Sequence, residues 1–243
     1  MKQTNWQIHP LGDAAVIIEF GYEIGLDVLA NVQQALHALE QEPIAGIVEY
    51  VPSYTTLAVY YEMEAWTDSR QPSISPYEAI CTYLEHRLSA LFQSSSDSPQ
   101  LEQSITRIPV CYGGKYGPDL DEVAAYHGLT AADIIHLHSG TTYTIYALGF
   151  APGFPYLGGM PESIAVPRRD TPRLRIPGGS VGIAGRQTGI YPLDTPGGWQ
   201  LIGRTPLLLF RPEQHPPVLL ESGGQVQFYP ITPAEYEQWQ EQE

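Results

Sequence analysis

Over the first third of the chain, apolar residues follow strand and helix rhythms in turn. Ala14 to Phe20 is an apolar run closed by Glu19-Phe20-Gly21, which predicts a strand. Leu29, Val32, Leu36 and Leu39 recur at helical spacing and predict a helix from Leu26 to Glu40, with Pro43 marking its exit. Gly46 to Val51 and Thr55 to Tyr61, rich in β-branched and aromatic residues, predict two strands about a Pro52-Ser53 turn. Ser75 is a good N-cap, Pro76 suits the first helical position and Glu78 completes a capping box. Tyr77, Ile80, Cys81, Leu84, Leu88 and Leu91 then give that second helix one apolar face. The order β-α-β-β-α predicts a small two-layer α/β domain over residues 1–93, with helices on one face of a mostly antiparallel sheet.

The pattern breaks at residues 94–103, where serines crowd a stretch with few apolar groups; a linker is predicted there. Beyond it, Arg107 to Tyr112 and Thr142 to Leu148 predict strands, and Leu120 to His127 and Ala131 to His136 predict short helices. Thr130 with Asp133 resembles a capping box. Two later strands are predicted at Leu207 to Arg211 and Val226 to Tyr229, so residues 104–232 read as a mostly β domain, a small barrel or sandwich. The acidic tail, residues 233–243, can form a peripheral helix through Tyr236 and Trp239. The fold class is α+β.

Charge narrows the function. The formal net charge is −15, which opposes generic binding to nucleic acid or to an anionic membrane, since both need clustered cations. Lysine occurs only at Lys2 and Lys115, and no P-loop pattern is present. The first apolar run is too short to span a membrane and follows no basic leader, so a cytoplasmic location is expected. Cys81 and Cys111 have no metal-like spacing and read as small buried residues.

The chemistry concentrates between Ala147 and Arg204. That stretch holds 12 Gly and 8 Pro in 58 residues, a density that suggests either a tether or a set of ordered loops. Interleaved Phe150, Phe154, Tyr156, Tyr191 and Trp199 supply a core to fold around and favour ordered loops. Six of the 12 basic residues fall there, namely Arg168, Arg169, Arg173, Arg175, Arg186 and Arg204, giving an acidic chain a local charge of +3. Guanidinium holds carboxylate or phosphate through paired hydrogen bonds, so the cluster predicts an anion site, the competing reading being ordinary ion pairs. Arg173 and Arg175 would share a face of an extended segment. Gln187 and Tyr191 are candidates for contacts to a polar ligand. His138 is a candidate acid, base or orienting group, with a satisfied structural histidine as its competitor. No metal site is expected, because no third ligand stands near His136 and His138.

The string from His138 to Pro206 contains GFAPGFPYLGG and QTGIYPLDTPGGWQLIGRTP, and Gly12 to Ala15 reads GDAA. These motifs closely resemble the allophanate hydrolase subunit 1 family, also called the carboxyltransferase C domain family, along nearly the whole chain. Its members include the B subunit of bacterial 5-oxoprolinase and KipI-type inhibitors of a sporulation histidine kinase. The resemblance implies a cyclophilin-like β-barrel for the second domain and a small α/β first domain. It implies work in an ATP-dependent complex that opens 5-oxoproline to glutamate, inactive as a single chain, with the ATP site shared with or held on partner subunits. The implied partners are a homologue of subunit 2, the C subunit of 5-oxoprolinase, and an A subunit of the lactam-utilisation type. On this footing Arg168, Arg173 and Arg175 bind the anionic group, Gln187 and Tyr191 position the amide, and His138 orients it or transfers a proton. The alternatives are a dedicated inhibitor with a sensor histidine kinase as partner, an allophanate-hydrolase or urea-amidolyase-type subunit, and a module that binds proline-containing peptides.

Overall fold

The computed structural model describes residues 6–67, 73–94 and 105–240. The chain divides into two compact units, residues 1–102 and 103–243. The expected linker lies outside the described residues apart from Ser94, the last residue of a helix.

In the first unit, β1 (Gln7–Pro10), β2 (Ala15–Glu19), β3 (Ile47–Ser53) and β4 (Thr56–Tyr61) form antiparallel pairs in the spatial order β1-β2-β4-β3. Helices α1 (Leu26–Gln41) and α2 (Pro76–Ser94) supply the second layer. Leu29, Val32 and Leu39 of α1 and Ile80, Leu84 and Leu88 of α2 are buried, and Val32, Leu39, Ile80, Leu84 and Leu88 close on Val16, Ile18, Leu57 and Val59 of the sheet. The α2 cap forms as predicted: the Ser75 amide donates to Glu78 Oε2 at 2.8 Å and the Glu78 amide to Ser75 Oγ at 3.2 Å. The apolar pattern does not predict β1, whose residues are almost all exposed and so carry little apolar signal.

The second unit contains a closed seven-stranded mixed barrel, the architecture the resemblance implied. Its strands are β5 (Ile105–Tyr112), β6 (Thr142–Leu148), β7 (Pro155–Gly158), β9 (Ser180–Ala184), β10 (Gln187–Ile190), β12 (Gln200–Arg204) and β13 (Gln225–Pro230). They run in the order β6-β13-β5-β12-β9-β10-β7, and β6 pairs with β7 to close the ring. Among the described strands of the barrel, β5 and β13 pair in parallel and the other pairs are antiparallel. A separate ribbon joins β8 (Arg173–Ile176) to β11 (Thr195–Gly197). Ile145, Leu157, Val181, Ile183, Ile190, Ile202, Val226 and Phe228 fill the barrel, and Leu120, Val123 and Ile134 seal it from helices α3 (Leu120–His127) and α4 (Ala131–Ser139). The α4 capping box is present, with the Thr130 amide 2.9 Å from Asp133 Oδ2 and the Asp133 amide 3.2 Å from Thr130 Oγ1.

The predicted strand at Leu207 to Arg211 does not form; a single bridge, Phe210 to Val218, replaces it. Pro206, Pro212, Pro216 and Pro217 lack the N–H a ladder needs. The tail forms helix α5 (Pro233–Gln240), anchored by Tyr236, which is buried against Tyr116 and Cys111. Among the described residues, no helix is long and apolar enough to cross a membrane.

Candidate functional site

Alternation along the strands places one set of side chains inside the barrel and another on its outer wall. On β9, Val181 and Ile183 point inward, while Gly182 faces out. On β10, Thr188 and Ile190 face in and Gly189 faces out. The outer glycines let aromatic rings lie directly on the sheet. A Cβ on Gly189 would meet Trp199 at 3.0 Å and Phe154 at 3.1 Å, and one on Gly182 would meet Trp199 Cβ at 3.1 Å. Phe154, Tyr156, Tyr191 and Trp199 pack edge to face, with Phe154 to Tyr191 centroids 5.2 Å apart and Phe154 to Trp199 centroids 5.5 Å apart. These rings, with Ile176, Ala184 and Leu201, form a second core outside the barrel.

Phe150 stands at the rim of this cluster. Its φ of 70° puts a bulky non-glycine residue in the left-handed region, which costs on the order of 1–3 kcal/mol and persists only where the surroundings enforce it. The enforcement is local: the Gly149 amide donates to the Phe154 carbonyl at 3.1 Å and the Phe154 amide to the Ala151 carbonyl at 3.0 Å. The residue is 64% exposed, and its ring touches Phe154 and Tyr191 edge-on. Sequence reasoning takes Phe150 for core; the structure places it exposed and in the left-handed region.

The arginines do not all converge. Arg169 Nη1 and Arg173 Nη2 both donate to Asp119 Oδ1, at 3.1 and 2.7 Å. Asp119 is 2% exposed, and its Oδ2 accepts from the Leu201 amide at 2.6 Å. Arg169 Nε and Arg173 Nη1 are buried without an acceptor. Arg168 is exposed and has no ion-pair partner among the described residues. Arg175 turns instead to Asp194 at 2.6 Å with its side chain 80% exposed, and Arg186 lies 3.8 Å from Glu162, also exposed. Arg204 Nε donates to the Gly178 carbonyl at 2.8 Å. Arg173 and Arg175 therefore serve different carboxylates, and Arg175 does not join the inner group.

Tyr191 does join it. Burial raises its pKa, opposed more weakly by the Trp199 backbone and by the charges of Arg168 and Arg173. Tyr191 is 2% exposed, so it supports the rim of the site from below and does not face a ligand directly. Arg173 pairs with Gly197 across the β8–β11 ribbon, and a Cβ on Gly197 would meet the Tyr191 hydroxyl at 2.5 Å. Gln187 is half-buried at the opposite end of β10, roughly 13 Å along the strand from Tyr191 at about 3.3 Å per residue. The two are not brought together.

His138 is fully buried inside the barrel, stacked on Phe228 at 4.5 Å. Nδ1 lies 2.7 Å from the Tyr112 hydroxyl and Nε2 2.9 Å from Thr188 Oγ1. Thr188 donates its own proton to the Gly182 carbonyl at 2.9 Å, so Nε2 carries the hydrogen and Nδ1 accepts from Tyr112. Burial pushes the imidazole down to about 3, leaving it neutral. A group with no surface cannot touch substrate, and the expectation that His138 orients a ligand or exchanges a proton with it is corrected to a structural role: it ties Tyr112 of β5 to Thr188 of β10.

Comparison with known proteins places this architecture. Residues 6–220 match the carboxyltransferase domain, subdomain C and D. The chain belongs to that family. It is 46% identical over 240 residues to the B subunit of 5-oxoprolinase from Bacillus subtilis, covering 98% of each chain. Its identity to the 5-oxoprolinase B subunit of Escherichia coli O157:H7 is 41%, over 90% of this chain and 94% of that one. Among solved structures, TTHA0988 aligns with a TM-score of 0.73 at 32% identity, over 89% of this chain and 40% of the other. Urea amidolyase of Lachancea kluyveri is more distant, 26% identical over 95% of this chain but only 14% of its own length.

Within this carboxyltransferase-domain chain, the residue that sequence reasoning misses is Asp119. It sits just before α3, where an aspartate reads as a cap, but its side chain makes no cap hydrogen bond. The only signal available is an acidic residue at the head of an apolar helix, facing arginines far along the chain.

Proposed function

We propose that this chain is the B subunit of a cytoplasmic, ATP-dependent 5-oxoprolinase and is inactive until joined by its partners. The observation that carries the proposal is its nearly full-length likeness to proteins of that name, and the site suits the chemistry. A substrate carrying a carboxylate beside a lactam needs a cation for the first and a hydrogen-bond donor for the second. Arg168 and Arg173 supply the cations and N–H donors, and Phe150, backed by the buried Tyr191, offers a ring against which a flat amide can lie. Arg175 and Gln187 stand outside this group.

An amide nitrogen is a poor leaving group, and ATP supplies a phosphoryl group that activates the amide oxygen. The residues here fit one oxyanion, carboxylate or phosphoryl. One oxyanion is fewer than a nucleotide's polyphosphate carries, and the described lysine, Lys115, is paired with Glu237. The nucleotide is therefore assigned to the assembled complex, with a C-subunit homologue and a lactam-utilisation-type A subunit as the partners. Guanidinium groups stabilise negative charge on the substrate while the ring opens. The kinase-inhibitor alternative has weaker support, because a docking surface alone needs no buried carboxylate aligning two arginines.

The test is 5-oxoproline-dependent ATP hydrolysis by the purified chain mixed with the A-subunit and C-subunit homologues from the same genome. Turnover is expected only when all three are present. Its absence from the full mixture, or turnover driven by allophanate instead, would remove this reading.

A further inference from the structure

Asp119 is a buried carboxylate whose partners are far from it in sequence, and its surroundings hold it rigidly. The Asp119 amide donates to the Leu201 carbonyl at 2.9 Å while Oδ2 accepts from the Leu201 amide at 2.6 Å, so its backbone and side chain together clip it to β12. Gly117, two residues earlier, lies so close to the Ile202 carbonyl that no Cβ would fit, which fixes the loop against the strand. Oδ1 is left to receive two guanidinium groups, at 2.7 Å from Arg173 and 3.1 Å from Arg169. The Arg169 backbone is fixed as well, its amide donating to the Gly198 carbonyl at 2.7 Å.

The charges do not cancel. One carboxylate faces two guanidiniums, and the second acid within reach, Glu122, is 73% exposed and 3.8 Å from Arg169. An exposed pair at that distance contributes little. Each arginine keeps part of its side chain in solvent, 31% for Arg169 and 25% for Arg173, and each retains a buried N–H with no acceptor. Unmet donors on half-buried cations need an acceptor, which a bound water or a ligand oxygen supplies.

We infer that Asp119 is a positioning residue that holds Arg169 and Arg173 as a two-guanidinium clamp for one oxyanion of the substrate, a carboxylate or a phosphoryl group. The inference rests on the anion-handling reading of the site and adds Arg169 and Asp119 to it. Asp119 never touches the ligand. Its negative charge and its two fixed oxygens set where the guanidinium planes lie.

The experiment has two arms. In the reconstituted complex, Asp119→Asn is expected to raise KM for 5-oxoproline by about tenfold or more while kcat changes far less, as expected for loss of charge-assisted alignment. A KM within about twofold of wild type in a folded variant overturns the inference. In the isolated wild-type chain, the Nε–H resonances of Arg169 and Arg173 are followed during titration with 5-oxoproline and, separately, with inorganic phosphate. Saturable shifts of both arginines with 5-oxoproline identify a carboxylate clamp, shifts with phosphate identify a phosphoryl clamp, and either supports the inference. Flat titrations with both probes overturn it, and this arm decides the matter if Asp119→Asn fails to fold. A complex that does not turn over 5-oxoproline while the arginines still respond to phosphate removes the proposed substrate and leaves the clamp standing.

Discussion

At the scale of single residues, His138 shows how burial converts a reactive group into a structural one. The imidazole would ordinarily titrate near 6.5, but desolvation holds it down to about 3. Between those values the unfolded chain takes up a proton that the folded chain refuses. Its stabilising contribution is therefore complete above pH 6.5 and falls by about 1.4 kcal/mol for each pH unit as pH drops toward 3. The facing groups Tyr112 and Tyr143 have raised pKa values and stay neutral throughout that window. Asp133, Asp194, Glu78 and Glu235, all lowered by hydrogen bonds, add losses of the same sign only at more acidic pH. His138→Gln is expected to be less stable at neutral pH but to lose stability less steeply as pH falls from about 6.5 to about 5, as read from urea midpoints. Parallel slopes for the two proteins would rule this out. The identity of His138 as a notable residue is legible in the sequence. Its partner Thr188 lies 50 positions away, and Asp119 reaches Arg169, Arg173 and Leu201 across 50, 54 and 82 positions, so neither network leaves a local trace.

At the scale of elements, legibility follows how local the determining interactions are. Helices α1, α2 and α4 declare themselves by spacing and, for α2 and α4, by caps made between residues three apart. The strands from β8 to β12 are three to five residues long and rich in glycine and proline, so they read as turns. What makes them strands is the ladder and the aromatic layer lying over Gly182 and Gly189. Gly189 is the more demanding position, because a Cβ there would also meet the Pro155 carbonyl at 2.8 Å, and backbone cannot step aside cheaply. Gly189→Ala is expected to destabilise the chain by about 1–3 kcal/mol through overpacking and to displace Trp199. Gly149 has open space around its Cβ position and no positive φ, so Gly149→Ala is the control, neutral or slightly stabilising. Equal urea midpoints for the two variants would show that the aromatic layer does not depend on the bare backbone.

At the scale of the whole molecule, charge is divided sharply between the arginine-bearing segment and the rest of the chain. The chain carries −15 in total and +3 between Ala147 and Arg204, leaving −18 on the remainder. Anionic ligands therefore meet attraction near the arginines and repulsion from the rest, and salt weights the two differently. At about 10 mM ionic strength the Debye length is about 30 Å and the distant acids act together; at about 150 mM it shrinks to about 8 Å and screens them, while groups in contact are screened much less. Binding of inorganic phosphate or 5-oxoproline to the isolated chain is thus expected to strengthen as ionic strength rises from about 10 to about 150 mM, opposite to the trend for a uniformly basic site. Arg168→Gln should weaken binding at both ionic strengths while keeping the same direction of salt response, because it removes a contact charge and not the far field. Affinity that instead falls with added salt would mean the arginines govern the potential well beyond their own surface, and the acidic exterior would then have no part in admitting the ligand.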